Sequence, residues 1–260
     1  MKFKYAALAV FSAAVLAGCS ATGGKSVLGS SSTDLQVGAA MDVYKSATVS
    51  DDELKSTSLA FRKAEDKQMS VASSSSKYAK RLAKLTRKHL NEDGLTLNFK
   101  VYITKDINAN ATPDGSIRFY SGIMDMMTDQ ELLGIIGHEI GHVKLGHALS
   151  ATRTAYMASA GRKAASSAGG VAGALSASEL GAFGENLLNS QFSQSQETAS
   201  DDYGLAFMKK HGYDQKAMES AFRKLAKISG KQSTVDAMLS SHPDSAARAD
   251  RMREKIAAGG

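Results

Sequence analysis

Gly137-His138-Glu139-Ile140-Gly141-His142 sits inside an apolar run from Leu132 to Leu145, and the rest of the chain is read outward from it. On a helix, residues four apart stack on one face, so His138 and His142 aim their imidazoles at one point. Two converging ring nitrogens suit a tetrahedral zinc ion, with Glu139 turned toward the water on the metal's open position. Gly141 costs roughly 1 kcal/mol of helix stability relative to alanine and in return leaves room beside the metal. A random chain of this length contains the pattern in roughly one case in a hundred. Two histidines that merely pack are therefore the weaker reading.

Thr128-Asp129-Gln130-Glu131 is a capping box and starts the helix that carries the motif. His147 follows His138 by nine residues, one short of the third histidine of the long metzincin pattern, and reads as a helix-end or supporting histidine. A third protein ligand is still needed. Glu197-Thr198-Ala199-Ser200-Asp201 opens a helix toward Lys210 and offers Glu197 as the carboxylate donor. Asp201 lies one turn later on the same face, placed to accept the free N–H of a ligand histidine and fix its tautomer. Taken alone, this pair is ordinary helix-start acidity. Downstream of the histidine motif it reads as a ligand and its support, with Asp202 an exposed neighbour.

Upstream, Leu97 to Ile103 alternates with period two, as a half-buried strand does. Asn108 to Ala111 and Ser116 to Tyr120 flank Thr112-Pro113-Asp114-Gly115, a strong turn signal. An edge strand beside a metal can pair with extended substrate backbone, and Ser116 to Tyr120 is the candidate edge. A structural hairpin is the equal alternative. Further upstream, Ser50-Asp51-Asp52-Glu53 caps a helix toward Met69. A second helix spans about Ser75 to Leu90, with Tyr78, Leu82, Leu85 and Leu90 on its buried side. Its charges from Lys77 to Lys88 form a solvated face, and His89 reads as a surface residue among them.

Downstream, Ala151 to Gly184 is dominated by Ala, Gly and Ser. A mobile lid, close-packed helices and a membrane-touching segment compete for it, and a pair of short helices with a flexible connection is favoured. Its interrupted hydrophobicity argues against a spanning helix. Asp214 caps a helix through Ile228 that ends at Gly230, and Ser241-His242-Pro243 precedes a final helix containing Arg248. His242, its backbone fixed by the proline, suits a hydrogen bond to the oxyanion of peptide attack, or an approach to the zinc in a resting state.

The N-terminus is not part of this fold. Lys2 and Lys4, the apolar Tyr5 to Leu16, and Leu16-Ala17-Gly18-Cys19 read as a bacterial secretory signal. The apolar stretch is shorter than the roughly 20 residues of a spanning helix. The final quartet resembles a lipobox, which implies removal of residues 1–18 and lipidation of Cys19; an ordinary signal with an accidental cysteine is the alternative. Cys19 is the only cysteine, so no internal disulfide is available. Ser20 after it resembles lipoproteins sorted to the outer membrane. Residues 19–34 are rich in Gly and Ser and read as a flexible tether, leaving 35–260 as the folded domain. At 260 residues and 43% hydrophobic content the chain sustains one core without forcing a second domain. Loss of Lys2 and Lys4 lowers the formal charge from +6 to +4, and no arginine–aromatic pattern accompanies it. Nucleic acid is therefore not an expected partner.

A histidine pair with a downstream glutamate is the gluzincin arrangement, and the fuller set resembles the HtpX/BepA/LoiP-type zinc metallopeptidases. The matching pieces are Asn108-Ala109, Gly115-Ser116-Ile117, Tyr120-Ser121-Gly122, His138 to His147, Glu197 to Asp201, and His242-Pro243 with Arg248. Tyr120 to Glu131 and Asn189 to Tyr203 are especially similar to that family's lipoprotein members. The resemblance covers most of residues 75–256. It implies an α+β, mostly helical zincin domain with a small sheet beside the motif helix, and one zinc per chain held by His138, His142 and Glu197. It further implies Asp201 and Arg248 as supporting residues, and substrate contacts at Asn108, Ala109, Ser116, Ile117 and Arg118. Ser200 departs from the family's usual alanine. With no cysteine pair in the mature chain, no disulfide or redox control carries over.

The expected activity is an endopeptidase acting on misfolded or unassembled envelope proteins, anchored through Cys19 to the outer membrane with its domain in the periplasm or at the cell surface. Glu139 is the expected general base and His242 the helper at the oxyanion. The alternative is an envelope chaperone or assembly factor of peptidase fold with little proteolytic activity.

Overall fold

A computed structural model describes residues 49–166, 177–228 and 236–259. The expected signal segment, Cys19 and the tether lie outside them. Helix α1 (Asp51–Gln68) begins at a reciprocal Ser50/Glu53 capping box and buries Leu54, Phe61 and Arg62. Helix α2 (Lys77–Thr86) is capped by Ser76 and buries Leu82 and Leu85. It stops four residues earlier than expected, so Leu90 falls outside it and is exposed. His89 is the opposite correction: it is fully buried. The chain turns back there through a small hairpin, β1 (Asn91–Glu92) and β2 (Leu95–Thr96). Asp93 and Gly94 at its tip have φ of 48° and 81°, the left-handed pair that a tight two-residue hairpin requires.

Three strands follow: β3 (Asn98–Tyr102), β4 (Ala109–Ala111) and β5 (Ser116–Tyr120). Their order is β3-β5-β4, with β5 parallel to β3 and antiparallel to β4. The expected hairpin between β4 and β5 forms, and Gly115 closes it at φ 85°. A side chain there would lie 2.1 Å from the Thr96 carbonyl oxygen. The expected edge is different. Ser116 to Tyr120 is the central strand, hydrogen-bonded on both sides, so it has no free backbone for a peptide. The open edge beside the motif helix belongs to β4. Asn108 accepts from Tyr120 N–H, and Thr112 donates to Ser116 C=O. Alternation therefore turns the N–H and C=O of Ala109 and Ala111 outward.

After the short α3 (Ser121–Met126) comes α4 (Asp129–Lys144), entered through the Thr128/Glu131 capping box. It is buried continuously from Glu131 to Val143, which explains an apolar run without an amphipathic stripe. Helices α5 (His147–Ser166) and α6 (Ala177–Leu188) supply the expected pair. The first is not short: it runs for 20 residues. Their connection lies outside the described residues. Phe61 of α1 packs edge-on against Phe183 of α6, at a ring separation of 6.0 Å.

Helix α7 (Gln194–Lys210) crosses α4 closely, and glycine makes this possible. A methyl on Gly137 would lie 2.8 Å from the Phe207 ring, and one on Gly141 would lie 3.2 Å from the Cα of Ser200. The room left by Gly141 thus receives α7 rather than lying beside a metal, and it brings the Glu197 helix onto the histidines. Helices α8 (Lys216–Ile228), α9 (Asp236–Ser241) and α10 (Ser245–Ala257) complete the core. Asp214 caps α8 as expected, accepting from Lys216 N–H at 3.0 Å. Pro243 does not start α10; Asp244 caps it in a left-handed conformation, φ 63°. No helix among the described residues is long and apolar enough to cross a membrane.

Candidate metal centre

Four side chains from three separate parts of the chain meet above α4. His138 and His142 project from one face of that helix, with their Nε2 atoms 2.9 Å apart. Glu197, one turn into α7, places Oε1 3.1 Å from His142 Nε2 and Oε2 3.7 Å from His138 Nε2. His242, in the turn between α9 and α10, brings Nδ1 to 2.9 Å from Glu197 Oε1 and 3.2 Å from His138 Nε2. One donor atom from each lies within 4.8 Å of the others, and all four residues are buried. The position of His242 matches the second of its two expected roles, a fourth donor facing the centre.

The chemistry of this donor set suits a cation. Asp201 Oδ1 lies 2.9 Å from His138 Nδ1, so that nitrogen carries the proton and Nε2 presents a lone pair. Glu197 Oε2 and His142 Nδ1 are buried without an aligned hydrogen-bond partner. A cation bound among them would take up these lone pairs in place of the contacts that now join the four side chains. Two imidazoles and a carboxylate, with a third imidazole in reach, fit a zinc-class ion. The nearest fixed positive charge is Arg248. Its guanidinium pairs with Asp201 at 2.9 and 2.6 Å, approaches Glu197 Oε2 and rests over the Phe222 ring at 4.2 Å. Arg248 thus holds both carboxylates in register.

These contacts set the charge states. Burial raises the Glu197 carboxyl, but the nearby His242 and His138 and a hydrogen bond from His142 outweigh it and hold it well below the usual carboxylate range. Burial also raises Asp201, and Arg248 and His138 reverse this to leave it ionised. His142 is pushed well below its ordinary value by burial and then by His138, so its ring is neutral. Burial lowers His242, while the Glu197 charge reverses this and raises it.

Glu139 lies beside the donor cluster, as its place in the motif demands. It is buried, its Oε1 has no hydrogen-bond partner, and it lies 3.8 Å from His242 Nε2. It lines a cavity shared with Asn108, Ala111, Phe192 and His242. Asn108 Oδ1 is likewise buried and unpartnered. Asn108 therefore lines the cavity, whereas Ala109, its neighbour in the chain, is fully buried and does not line it. Ser116, Ile117 and Arg118 do not line it either. All three are buried in the central strand, where Ser116 bonds Asp114 at 2.5 Å and Arg118 grips Asp66 at 3.0 and 3.1 Å. Ser116 and Arg118 share one face of the sheet, and Ile117 points from the other into the hydrophobic core. His147 supports the site as expected, contacting Ser200 Oγ at 3.1 Å. Asp202 is more engaged than expected, pairing with Lys255 at 2.6 Å and also with Arg251.

Phe192 was not foreseen. Its ring stacks on His142 with centroids 3.8 Å apart, and its N–H bonds Ser241 C=O at 3.2 Å. With Leu187 and Leu188 it narrows the cavity to about 40 Å3, room for a water or two rather than a peptide. Ser193, which caps α7 immediately after it, is the only local signal.

Residues 76–256 match peptidase family M48. The chain is 40% identical to metalloprotease LoiP of Escherichia coli over all of this chain and 99% of that protein. It is also 40% identical to metalloprotease YcaL of the same organism, over 95% of each. A putative β-barrel assembly-enhancing protease of Vibrio cholerae is 28% identical over 54% of this chain and 30% of its own length. A family match across most of the chain, and full-length similarity to two metalloproteases, make this protein a metallopeptidase of family M48.

Proposed function

We propose that this metallopeptidase is a zinc-dependent endopeptidase of the bacterial envelope. The observation that carries the reading is the convergence of His138, His142 and Glu197 on one point, with Glu139 beside it. His138, His142 and Glu197 hold the ion, Asp201 fixes the tautomer of His138, and Arg248 fixes Asp201. Zinc at such a site supplies Lewis acidity toward a carbonyl and brings a water's pKa down to about 7.

The remaining steps fall to this chain's own side chains. Glu139 takes the proton of the attacking water on its carboxylate and delivers it to the leaving amine nitrogen. Once Phe192, Leu187 and Leu188 draw back from the cavity, substrate backbone pairs with the outward N–H and C=O of Ala111, which reads peptides without selecting a side chain. Asn108 adds a polar contact at the same edge. His242, once its ring leaves the donor cluster, is placed to hydrogen-bond the developing oxyanion.

Lipidation of Cys19 anchors the domain to the outer membrane, with residues 19–34 as tether. The lipobox-like quartet Leu16 to Cys19 and the serine after it support this placement. Substrates are misfolded or unassembled envelope proteins; similarity to a relative named as assembly-enhancing supports that class.

Glu139→Gln tests the reading. The variant keeps its metal and fold and loses casein cleavage. Cleavage that survives in this variant, or that ignores a chelator, removes the proposed mechanism and leaves a chaperone of peptidase fold.

A further inference from the structure

A second cluster of metal-binding side chains lies at the opposite end of α7. His89, just past α2, is fully buried, and Glu92 on β1 is 4% exposed. His89 Nδ1 lies 2.9 Å from Glu92 Oε2, and His211 Nε2, at the C-terminal cap of α7, lies 3.1 Å from the same carboxylate. One donor atom from each falls within 4.8 Å of the others. The fourteen-residue step from Glu197 to His211 separates this cluster from the peptidase centre by about 21 Å of helix.

We propose that His89, Glu92 and His211 form a second site for a divalent ion of the zinc class. Two imidazoles and a carboxylate are a borderline donor set that suits zinc, nickel or copper rather than magnesium or calcium. The orientation of His89 fits. Its other nitrogen, Nε2, sits 2.8 Å from the Tyr213 hydroxyl, the outer contact that aims a ligand imidazole. The His211 side chain is 23% exposed and gives an ion a way in from solvent. Binding through Nδ1 shifts the His89 proton to Nε2, which donates it in a hydrogen bond to the Tyr213 hydroxyl oxygen, and clamps the β1–β2 hairpin onto the end of α7.

A plain hydrogen-bonded cluster is the competing explanation, and Lys210 separates the two. Its ammonium occupies Glu92 Oε1 at 2.6 Å and Asp93 Oδ1 at 2.7 Å, a cation on the very carboxylate that the ion needs. Lys144 and Tyr203 contact only Asp93. A metal site competes with Lys210; a structural cluster depends on it.

The test is zinc titration of the full-length protein, followed by metal analysis and by thermal unfolding. The wild type takes up two zinc ions per chain, and the second equivalent raises the melting temperature. His211→Ala, at a part-exposed cap, takes up one ion, keeps its peptidase activity and loses the second rise. Lys210→Ala tightens the second ion about fivefold by removing its competitor. A single ion in the wild type, a second ion retained in His211→Ala, or a second ion that Lys210→Ala does not tighten overturns the proposal. Because the readout is the second equivalent of metal, it is independent of whether the first site cleaves peptides.

Discussion

Asp201 Oδ1 sits 2.9 Å from His138 Nδ1, and Arg248 grips that same oxygen at 2.6 Å. One carboxylate thus fixes the proton on the outer nitrogen of His138 and is itself fixed from α10. Asp201→Asn retains the shape but loses the charge, and its amide presents the wrong group to His138 or to Arg248. Metal affinity is expected to fall about 10- to 100-fold while the far-ultraviolet spectrum is unchanged. Competition against a chromogenic chelator checks this, and unchanged affinity contradicts it.

The open edge of the sheet belongs to β4. Ala111 N–H points outward, so Ala111→Pro deletes a donor that the fold does not use. KM for an unstructured protein substrate is expected to rise about tenfold, the cost of one lost backbone hydrogen bond, with kcat nearly unchanged. Steady-state kinetics decide; an unaltered KM returns the hairpin to a purely structural role.

Gly137 tests the contact that unites α4 and α7. Alanine gains up to about 1 kcal/mol of helix propensity. Its methyl would lie 2.8 Å from Phe207 and 3.1 Å from Gly204, and overpacking of this kind costs about 1–3 kcal/mol. The clash wins, so Gly137→Ala is expected to destabilise by about 1 kcal/mol in urea unfolding. A stabilised variant would show that α4 and α7 can part without cost.

Asp66 governs part of the acid response. Burial raises its carboxyl, but hydrogen bonds from Arg118, Lys100 and Tyr102 outweigh this and hold it below its ordinary 3.8. A carboxyl depressed in the folded state stabilises above its unfolded pKa and loses that contribution as pH falls through the folded one. Stability should therefore drop below about pH 3.8 through this group. Asp66→Asn leaves Arg118 buried without its carboxylate, costs about 3 kcal/mol at neutral pH and flattens that acid limb. Urea unfolding at pH 7 and pH 3 measures both effects; equal acid sensitivity in wild type and variant contradicts the assignment.

Local signals and long-range pairing divide what the residues disclose. The capping boxes at Ser50 and Thr128 and the four-residue histidine spacing are local, and they place α1, α4 and the shared face of His138 and His142 correctly. Glu197 and Asp201 were legible because their spacing matches one helical turn. Sheet order is not local: whether β5 is an edge depends on β3 pairing with it in parallel across an intervening strand. His89 misled because its sequence neighbours are charged, while the groups that bury it include Tyr213 and His211 more than 120 residues away. The Asp93-Gly94 turn beside it carried a readable hairpin signal, but strands of two residues show no alternation. Gly141 was read from one helix alone, and its purpose became visible only with Ser200 pressed against it.

The most direct test is anomalous X-ray diffraction at the zinc edge from crystals of protein loaded with one equivalent of zinc. A single strong peak about 2.0–2.2 Å from His138 Nε2, His142 Nε2 and a Glu197 oxygen is the expected result. A map with no peak there, or with Glu197 turned away from the ion, contradicts the account at its centre.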